Sequence, residues 1–217
     1  PWQSIAMDGF QYQGNHYIAI VDMLTQFLII HDFPAAPNSS MVLEALKATC
    51  AEQGGTPLVL LTDGHSVLTS KEMERWCRHN YVHQRISSAY HPASNGAIER
   101  NLAEVKEVWR RCADAKVTPL TRGDRREALM MLNSTPRPPL KLSPAAMHFG
   151  RETRHGLLPQ LDEVTLEVDK AYEEINARRE KRKARANDKV SSFIPSPLQL
   201  KEGLRVLVQD QKGRYSV

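Results

Sequence analysis

Cysteine is scarce in this sequence, and long hydrophobic runs are missing from it. The three cysteines, Cys50, Cys77 and Cys112, are widely spaced and form no C-x-x-C pair, which argues against a disulfide framework and favours a reducing compartment. No apolar run approaches the roughly 20 residues needed to span a bilayer, and no signal-peptide pattern is recognisable. The sequence is therefore not typical of a membrane-spanning or disulfide-stabilised secreted protein.

The remaining composition is that of an ordinary soluble domain, but its charge is unevenly placed. Of 217 residues, 41% are hydrophobic and 25% charged, as in typical globular proteins. Residues 170–189 carry 8 basic and 4 acidic side chains, whereas residues 1–169 carry 17 and 19. A basic arm on a near-neutral body suits a polyanionic partner, most simply nucleic acid. A solvated helix of mixed charge would have the same composition, so both interpretations stay open.

One stretch, "CRHNYVH", could suggest metal ligation through Cys77, His79 and His83. The same letters are also expected where a helix ends and a short strand follows. We favour this second interpretation, because the spacing does not match a zinc motif.

Apolar patterns predict a mixed α/β fold. Predicted strands cover residues 4–11, 16–23, 26–33, 56–63 and 81–87, and predicted helices cover residues 36–54, 70–80, 94–115 and 125–133. Antiparallel strands come first and a strand–helix alternation follows, which indicates a mixed sheet with helices packed on it. The second and third strands read as a hairpin, although the "LT" between them lacks the usual glycine-rich turn.

The C-terminal quarter has a different pattern. Residues 162–189 predict one long charged helix, and residues 200–210 and 213–217 predict a hairpin, which is too small to be stable alone. We therefore predict three parts: a core over residues 1–160, a basic helical linker over 161–190, and the start of a small C-terminal β-domain over 191–217.

Three carboxylates occupy positions that need an explanation. Asp8 lies inside a strand, where aspartate is depleted, and Asp63 ends a buried run at a place where open α/β sheets carry functional groups. Glu99 enters the helix that follows "YHPASNGAI". Taken singly, these are a strand-end acceptor, a turn residue and an acid that complements the helix dipole. Together they can form a site if the first and fourth strands are neighbours.

The helix around Glu99 has one apolar face. Its stripe consists of Ile98, Leu102, Val105, Trp109 and Cys112, at the spacing of a helix packed on a sheet. Glu99 and Lys106 lie on the adjacent stripe, so we expect both at the edge of the buried face. Lys106 is two turns beyond Glu99, where an amine could meet a phosphate.

Asp63 and Glu99 are separated by 35 residues, and with Asp8 this resembles the Asp, Asp-35-Glu signature of retroviral and retrotransposon integrases. "GTPLVLLTDGHSVLTS" is similar to that family's G-x-P-x-x-[hydrophobic]-x-x-D-x-G-x-x-F-x-S block. "YHPASNGAIERN" is similar to its H-P-x-[ST]-[ND]-G-x-x-E-R block, close to that of gypsy-type elements, and "LNSTPRPPLKLSPAAMHFGR" resembles a later segment. Departures are Gly9 directly after Asp8, Leu68 in place of Phe, and Pro138 in place of His.

The resemblance implies a ribonuclease-H-like core with a five-stranded sheet. It implies that Asp8 bridges two Mg²⁺ or Mn²⁺ ions while Asp63 and Glu99 each hold one, for phosphoryl transfer at DNA ends. It also implies double-stranded DNA as partner, a homo-oligomer and action in the nucleus on chromosomal DNA after a transient cytoplasmic stage. The expected DNA-contacting residues are Tyr90, His91, Asn95, Lys106, Arg178, Arg182 and Arg185, of which Tyr90 and His91 could instead pack the loop. The alternatives are a DDE transposase or nuclease of the same fold and a domesticated DNA-binding protein without catalysis.

Overall fold

The computed structural model of the protein describes residues 1–87, 96–116, 118–137, 141–151, 164–193, 208–209 and 215–216. The chain divides into two compact units, Pro1–Glu173 and Glu174–Val217. The first unit contains the sheet and the candidate site.

A five-stranded sheet forms the centre of the first unit. Its strands are β1 (Ser4–Tyr12), β2 (Asn15–Asp22), β3 (Leu28–Phe33), β4 (Val59–Thr62) and β5 (His83–Ile86), in the spatial order β3-β2-β1-β4-β5. The first three strands pair antiparallel, whereas β4 runs parallel to β1 and β5 runs parallel to β4. The mixed sheet predicted from the sequence is confirmed.

Six helices accompany the strands in the described part of the chain. They are α1 (Ser39–Glu52), α2 (Lys71–His79), α3 (Gly96–Asp114), α4 (Arg122–Ser134), α5 (Pro144–Phe149) and α6 (Val164–Phe193). Side chains of Asn38, Ser70, Thr121 and Ser143 cap the starts of α1, α2, α4 and α5 and satisfy backbone N–H groups that a helix leaves unpaired. Among the described helices none is both long and apolar enough to span a lipid bilayer.

Helix α5 was not predicted, because it begins at Pro144, the last residue of the predicted proline-rich connector, and has only six residues. Pro144 occupies the first helical turn, where its missing N–H costs nothing, and the Ser143 hydroxyl accepts from Ala146 N at 3.0 Å. Ala145, Ala146 and Met147 are buried. Tertiary packing therefore stabilises a helix that is too short to show a periodic pattern.

Alternation along β1 builds a core on each face of the sheet. Ile5 and Met7 pack with residues of α1 and α2, such as Leu46 and Met73, whereas Ala6 and Phe10 pack with residues of α3 and α4. Successive side chains of a strand point to opposite faces, so one strand supplies both layers. Burying each large aliphatic side chain contributes roughly 1.5–3 kcal/mol relative to leaving it exposed.

The apolar stripe predicted on α3 is confirmed. Ile98, Leu102, Val105 and Trp109 are buried, and Cys112 is half-buried. They pack against the face of the sheet that carries Ala6 and Phe10, so α3 is fixed to β1 and β2 along its length.

The hairpin between β2 and β3 is closed by the buried side chain of Asp22. Its Oδ1 accepts hydrogen bonds from Leu24 N (3.1 Å), Thr25 N (2.6 Å) and Thr25 Oγ1 (2.8 Å), and its Oδ2 accepts from Trp2 N (2.5 Å). These hydrogen bonds stabilise a turn in which Gln26, rather than glycine, takes the left-handed conformation, with φ of 62°.

Substituting Asp22 with alanine is expected to lower the free energy of unfolding by about 3 kcal/mol, because it leaves buried donors without an acceptor. Asp22→Asn retains one acceptor oxygen, and we expect it to cost about half as much. Glu44→Ala, which removes only an exposed ion pair with Lys47, serves as control and should cost less than about 0.5 kcal/mol. Urea titration followed by circular dichroism measures all three, and equal stability of Asp22→Ala and Glu44→Ala would refute the role of Asp22.

The favoured interpretation of "CRHNYVH" is confirmed, since α2 ends at His79 and β5 begins at His83. Cys77 is buried in the core, whereas His79 and His83 are exposed. Burial raises the pKa of both Cys77 and Cys50 to about 11. Cys77 is therefore a packing residue that stays protonated at neutral pH.

The start of α6 belongs to the first unit. Val168 and Ala171 are buried, and the Tyr172 hydroxyl donates a hydrogen bond to Met147 O. The predicted domain boundary after residue 160 lies outside the described residues. In the second unit, β6 (Val208–Gln209) pairs antiparallel with β7 (Tyr215–Ser216); the small C-terminal β-domain predicted around them stays a prediction.

Candidate active site

Asp8 and Asp63 occupy adjacent positions of neighbouring strands. The parallel ladder between β1 and β4 ends with the pair Met7 and Thr62, and the two aspartates are the next residues of each chain segment. Neighbouring strands lie about 4.8 Å apart. Because β4 stops here while β1 continues to Tyr12, the two carboxylates stand at an open end of the sheet.

Glu99 reaches the same region from the first turn of α3. Its side chain is exposed, whereas that of its neighbour Ile98 is buried, so the acid lies beside the packed face, as predicted. Helix α3 contacts β1 and β2, and this packing fixes the helix that presents Glu99 beside the strand that carries Asp8.

The pKa of Asp8 is affected by the charges of the other two acids. Burial raises the pKa of Asp8, and the charges of Asp63 and Glu99 raise it further. The Gly9 N–H, which donates to Asp8 Oδ1 at 2.7 Å, and the Lys106 amine act in the opposite direction. The fold therefore gathers negative charge around one half-buried carboxylate, which is unfavourable without a counter-ion.

Lys106 lies on the same side of α3 as the acids, as predicted. Its amine is exposed and lies 5.4 Å from the centre of the Phe10 ring, an arrangement that favours a cation over an aromatic face. It stands close enough to Asp8 to lower that residue's pKa.

The loop after Asp63 adds a residue that sequence reasoning missed. Asp63 Oδ1 accepts a hydrogen bond from His65 N at 3.1 Å, and the His65 carbonyl accepts from Leu68 N and Thr69 N. These bonds form a compact turn that orients the Asp63 carboxylate. The available signal was that His65 stands where the integrase pattern has glycine. Leu68, in place of Phe, is buried in the core.

A cleft of about 320 Å³ opens beside the two aspartates. Apolar residues of its walls include Ala36, Pro37, Val67 and Leu68, and its polar lining residues are Asp8, Gln11, His16, Tyr17, Asp63 and His65. Gln11 and His16 were not predicted, because only the register of β1 against β2 brings them to this place.

The structure does not test the other predicted DNA contacts. Tyr90, His91 and Asn95, like Pro138, lie outside the described residues. Arg178, Arg182 and Arg185 are exposed residues of the second unit. Within the described part of the chain, no group of three or more His, Cys, Asp and Glu side chains is arranged as a metal site.

A family model and a known protein have sequences similar to parts of this chain. Residues 1–92 match the model of the family described as integrase core domain, a range that includes Asp8 and Asp63 and ends before Glu99. Over 93 residues the chain is 28% identical to the Pro-Pol polyprotein of simian foamy virus type 1, which is 43% of this chain and 8% of that protein. The chain thus matches less than a tenth of the length of that curated relative.

Solved structures show the same fold. An intasome chain of simian T-cell lymphotropic virus, in complex with the PP2A regulatory subunit B56 gamma, superposes with a TM-score of 0.61 at 18% identity, over 75% of this chain and 58% of that one. The catalytic core domain of HTLV-2 integrase, in complex with magnesium, gives 0.56 at 17% identity, over 68% of this chain and 97% of that one. These similarities confirm the predicted ribonuclease-H-like architecture.

Proposed function

With a catalytic core of the retroviral and retrotransposon integrase type, we propose that the chain is an integrase. In this proposal it is a polynucleotidyl transferase that trims the 3′ ends of element DNA and joins them to target DNA. The observation that supports the proposal is the position of Asp8 and Asp63 directly after the last pair of the β1–β4 ladder, with Glu99 on helix α3, which contacts β1. We also propose that it acts as a homo-oligomer in the nucleus.

In this proposal Asp8, Asp63 and Glu99 would hold a pair of Mg²⁺ or Mn²⁺ ions, although their side chains are not arranged as a metal site in the part of the chain that the structure describes. Carboxylate oxygens are the ligands that these cations prefer. Burial and, after it, the charges of Asp63 and Glu99 raise the pKa of Asp8, and a divalent cation would offset both effects. Bound ions supply activation of the attacking oxygen and stabilisation of the leaving oxygen in an in-line displacement at phosphorus.

The chain's own residues orient these ligands and the DNA. The Gly9 N–H holds Asp8 Oδ1, and the His65 N–H holds Asp63 Oδ1, so two of the three carboxylates have a fixed direction. Lys106 offers its amine to a phosphate oxygen on the side of Glu99. Water is the nucleophile for trimming, and a DNA 3′-OH is the nucleophile for joining.

DNA affinity in this proposal comes largely from α6 beyond Glu173. Arg178, Arg182 and Arg185 are exposed there, and Arg178 lies within 3.5 Å of Glu174. Such exposed pairs contribute little, so these guanidinium groups remain able to contact phosphates. Tyr90, His91 and Asn95 stay proposed contacts near the site.

The Arg178/Arg182/Arg185→Glu variant is expected to flatten the salt dependence of DNA binding. If about three phosphates are neutralised, the logarithm of the binding constant falls with that of salt at a slope of roughly 3 in the wild type. A Lys71/Arg75/Arg78→Glu variant makes the same charge change on the exposed side of α2 and controls for net charge. Fluorescence anisotropy at several salt concentrations measures the slopes. Equal slopes for wild type and the α6 variant would leave α6 as a solvated spacer.

Joining of DNA tests the proposed activity. A duplex with the terminal sequence of the element that encodes the chain is incubated with a plasmid and Mg²⁺ or Mn²⁺. We expect trimmed ends and joined products that disappear when EDTA is added. Nicking without joining would indicate a nuclease, and DNA binding without either product would indicate a DNA-binding protein without catalysis.

A further inference from the structure

We propose that the cleft beside Asp8 and Asp63 holds one unstacked nucleobase of the DNA, next to the reacting phosphate, and that Gln11 and His16 contact its polar edge. The inference rests on the proposed function, since the two aspartates mark the place of that phosphate. It adds a base-contacting subsite to the site of phosphoryl transfer.

The register of the sheet places the polar pair. Gln11 pairs with His16 across β1 and β2, and Gly9 pairs with Ile18, so these side chains share one face of the sheet. Gln11 Nε2 and His16 Nδ1 lie 3.3 Å apart. The side chain of Asp8 belongs to the opposite alternation, but Asp8 and Asp63 line the same cleft as Gln11 and His16.

Gly9 leaves the floor of this cleft free. Glycine inside a strand costs about 0.5–1 kcal/mol relative to alanine and commonly marks a bulge or the close approach of another group. The ladder with β2 runs unbroken from Ile5 to Tyr12, so no bulge explains it. A Cβ at Gly9 would lie 3.5 Å from Ile18 Cδ1, an ordinary contact, so crowding does not explain it either. Close approach of a ligand to the strand explains why position 9 is glycine.

The size of the cleft indicates more than an ion. Its volume of about 320 Å³ lies at the lower end of the range of small-molecule sites, about 300–1,000 Å³. The volume of one nucleobase with its sugar is of the same order as that of the cleft.

The chemistry of the walls indicates a neutral ligand with flat apolar faces. Ala36 and Pro37 form one apolar side, and Val67 and Leu68 form another part of the wall. Among the described residues that line the cleft there are two carboxylates and no lysine or arginine, which disfavours a phosphate. A nucleobase is uncharged, presents apolar faces and offers donors and acceptors at its edge, which a glutamine amide can match.

Unstacking a base costs a few kcal/mol, least at a frayed or single-stranded end. DNA ends are the substrate of the proposed reaction, so the free-energy cost of unstacking is lowest for the bases that lie near the cleft. A base held here would also fix the backbone of its own nucleotide against Asp8 and Asp63.

Fluorescence of 2-aminopurine, which increases when this base leaves the stack, tests the proposal. The full chain is mixed in Mg²⁺ with the element-end duplex carrying 2-aminopurine in turn at each position near the 3′ end. We expect one position to brighten at least about threefold. Gly9→Leu, which fills the floor, should abolish this increase, and Gly9→Ala, which adds one methyl group, should reduce it by a smaller factor.

A second variant distinguishes loss of the base contact from misfolding of Gly9→Leu. Gln11→Leu/His16→Leu changes only strand-surface polar groups and should reduce the increase at least about threefold while DNA affinity changes less than about threefold. No increase at any position, or an increase that both changes leave intact, overturns the proposal. Joining without an increase contradicts the cleft and not the reaction. A Gly9-dependent increase without joining supports the cleft and contradicts the reaction.

Discussion

Substituting Asp63 with asparagine is expected to reduce DNA joining by at least about 1,000-fold, which corresponds to about 4 kcal/mol of transition-state stabilisation. The amide keeps the shape of the side chain and can still accept from His65 N, which lies 3.1 Å from Asp63 Oδ1. It loses the charge that holds a divalent cation. The rate of joined-product formation with labelled element-end DNA measures the effect.

DNA binding by the Asp63→Asn variant should stay within about threefold of wild type, because binding depends mainly on phosphate contacts elsewhere. Asp114→Asn is the matched control, since Asp114 is an exposed residue at the end of α3 that pairs with Arg110 at 2.7 Å. We expect it to join DNA within about twofold of wild type. Joining at the wild-type rate by Asp63→Asn would rule out the metal role of that carboxylate.

Trp109→Ala is expected to lower the free energy of unfolding by about 3–5 kcal/mol, a large part of the 5–15 kcal/mol typical of a domain. Trp109 is 2% exposed, and its ring centre lies 5.0 Å from that of Tyr17, 5.3 Å from Tyr12 and 5.9 Å from Phe10. Its indole N–H donates to Arg125 O at 3.3 Å. The substitution leaves a cavity between α3 and the sheet.

Urea titration of the full chain, followed by helical circular dichroism, measures this loss. Met130→Ala on α4 is the control, because Met130 is 54% exposed and should change stability by less than about 0.5 kcal/mol. A loss below about 1 kcal/mol for Trp109→Ala would contradict the assignment of this residue to the core. Trp109 packs the helix that carries Glu99 against the sheet. We therefore also expect Trp109→Ala to join DNA more slowly at temperatures where the variant is still folded.

The sequence was sufficient to predict the strands and helices that have a recurring apolar pattern. Continuous apolar runs located β4, and the stripe from Ile98 to Trp109 located the buried face of α3. The sequence also pointed to the three acids as one set, because their spacing resembles the integrase signature, although none of them is specific when taken singly. The adjacency of Asp8 and Asp63 follows from the parallel pairing of β1 with β4, which the strand order made plausible.

Features that depend on tertiary contacts could not be predicted. The carboxylate of Asp22 closes a hairpin through donors as far away as Trp2, and no local pattern shows this. Helix α5 depends on burial of Ala146 and Met147. Gln11 and His16 reach the cleft through the register of two strands, which alternation constrains only to one face.

In the proposed function, the core would need other parts of the chain to bind DNA. Residues 1–169 contain 17 basic and 19 acidic side chains, so net charge does not attract a polyanion to the site. The exposed arginines of α6, beginning at Arg178, supply that attraction in the proposed function, while Lys106 supplies a cation beside the acids.

Joining rates of Asp8→Asn, Asp63→Asn, Glu99→Gln and the triple variant, measured side by side with wild type, test the central claim that these carboxylates form one catalytic unit. Residues that act as a unit have non-additive effects, so each single loss approaches the loss of the whole. We expect every single variant to be nearly as inactive as the triple variant, with DNA binding preserved in all four. Losses that multiply from variant to variant, or joining by Glu99→Gln at the wild-type rate, would contradict a shared site.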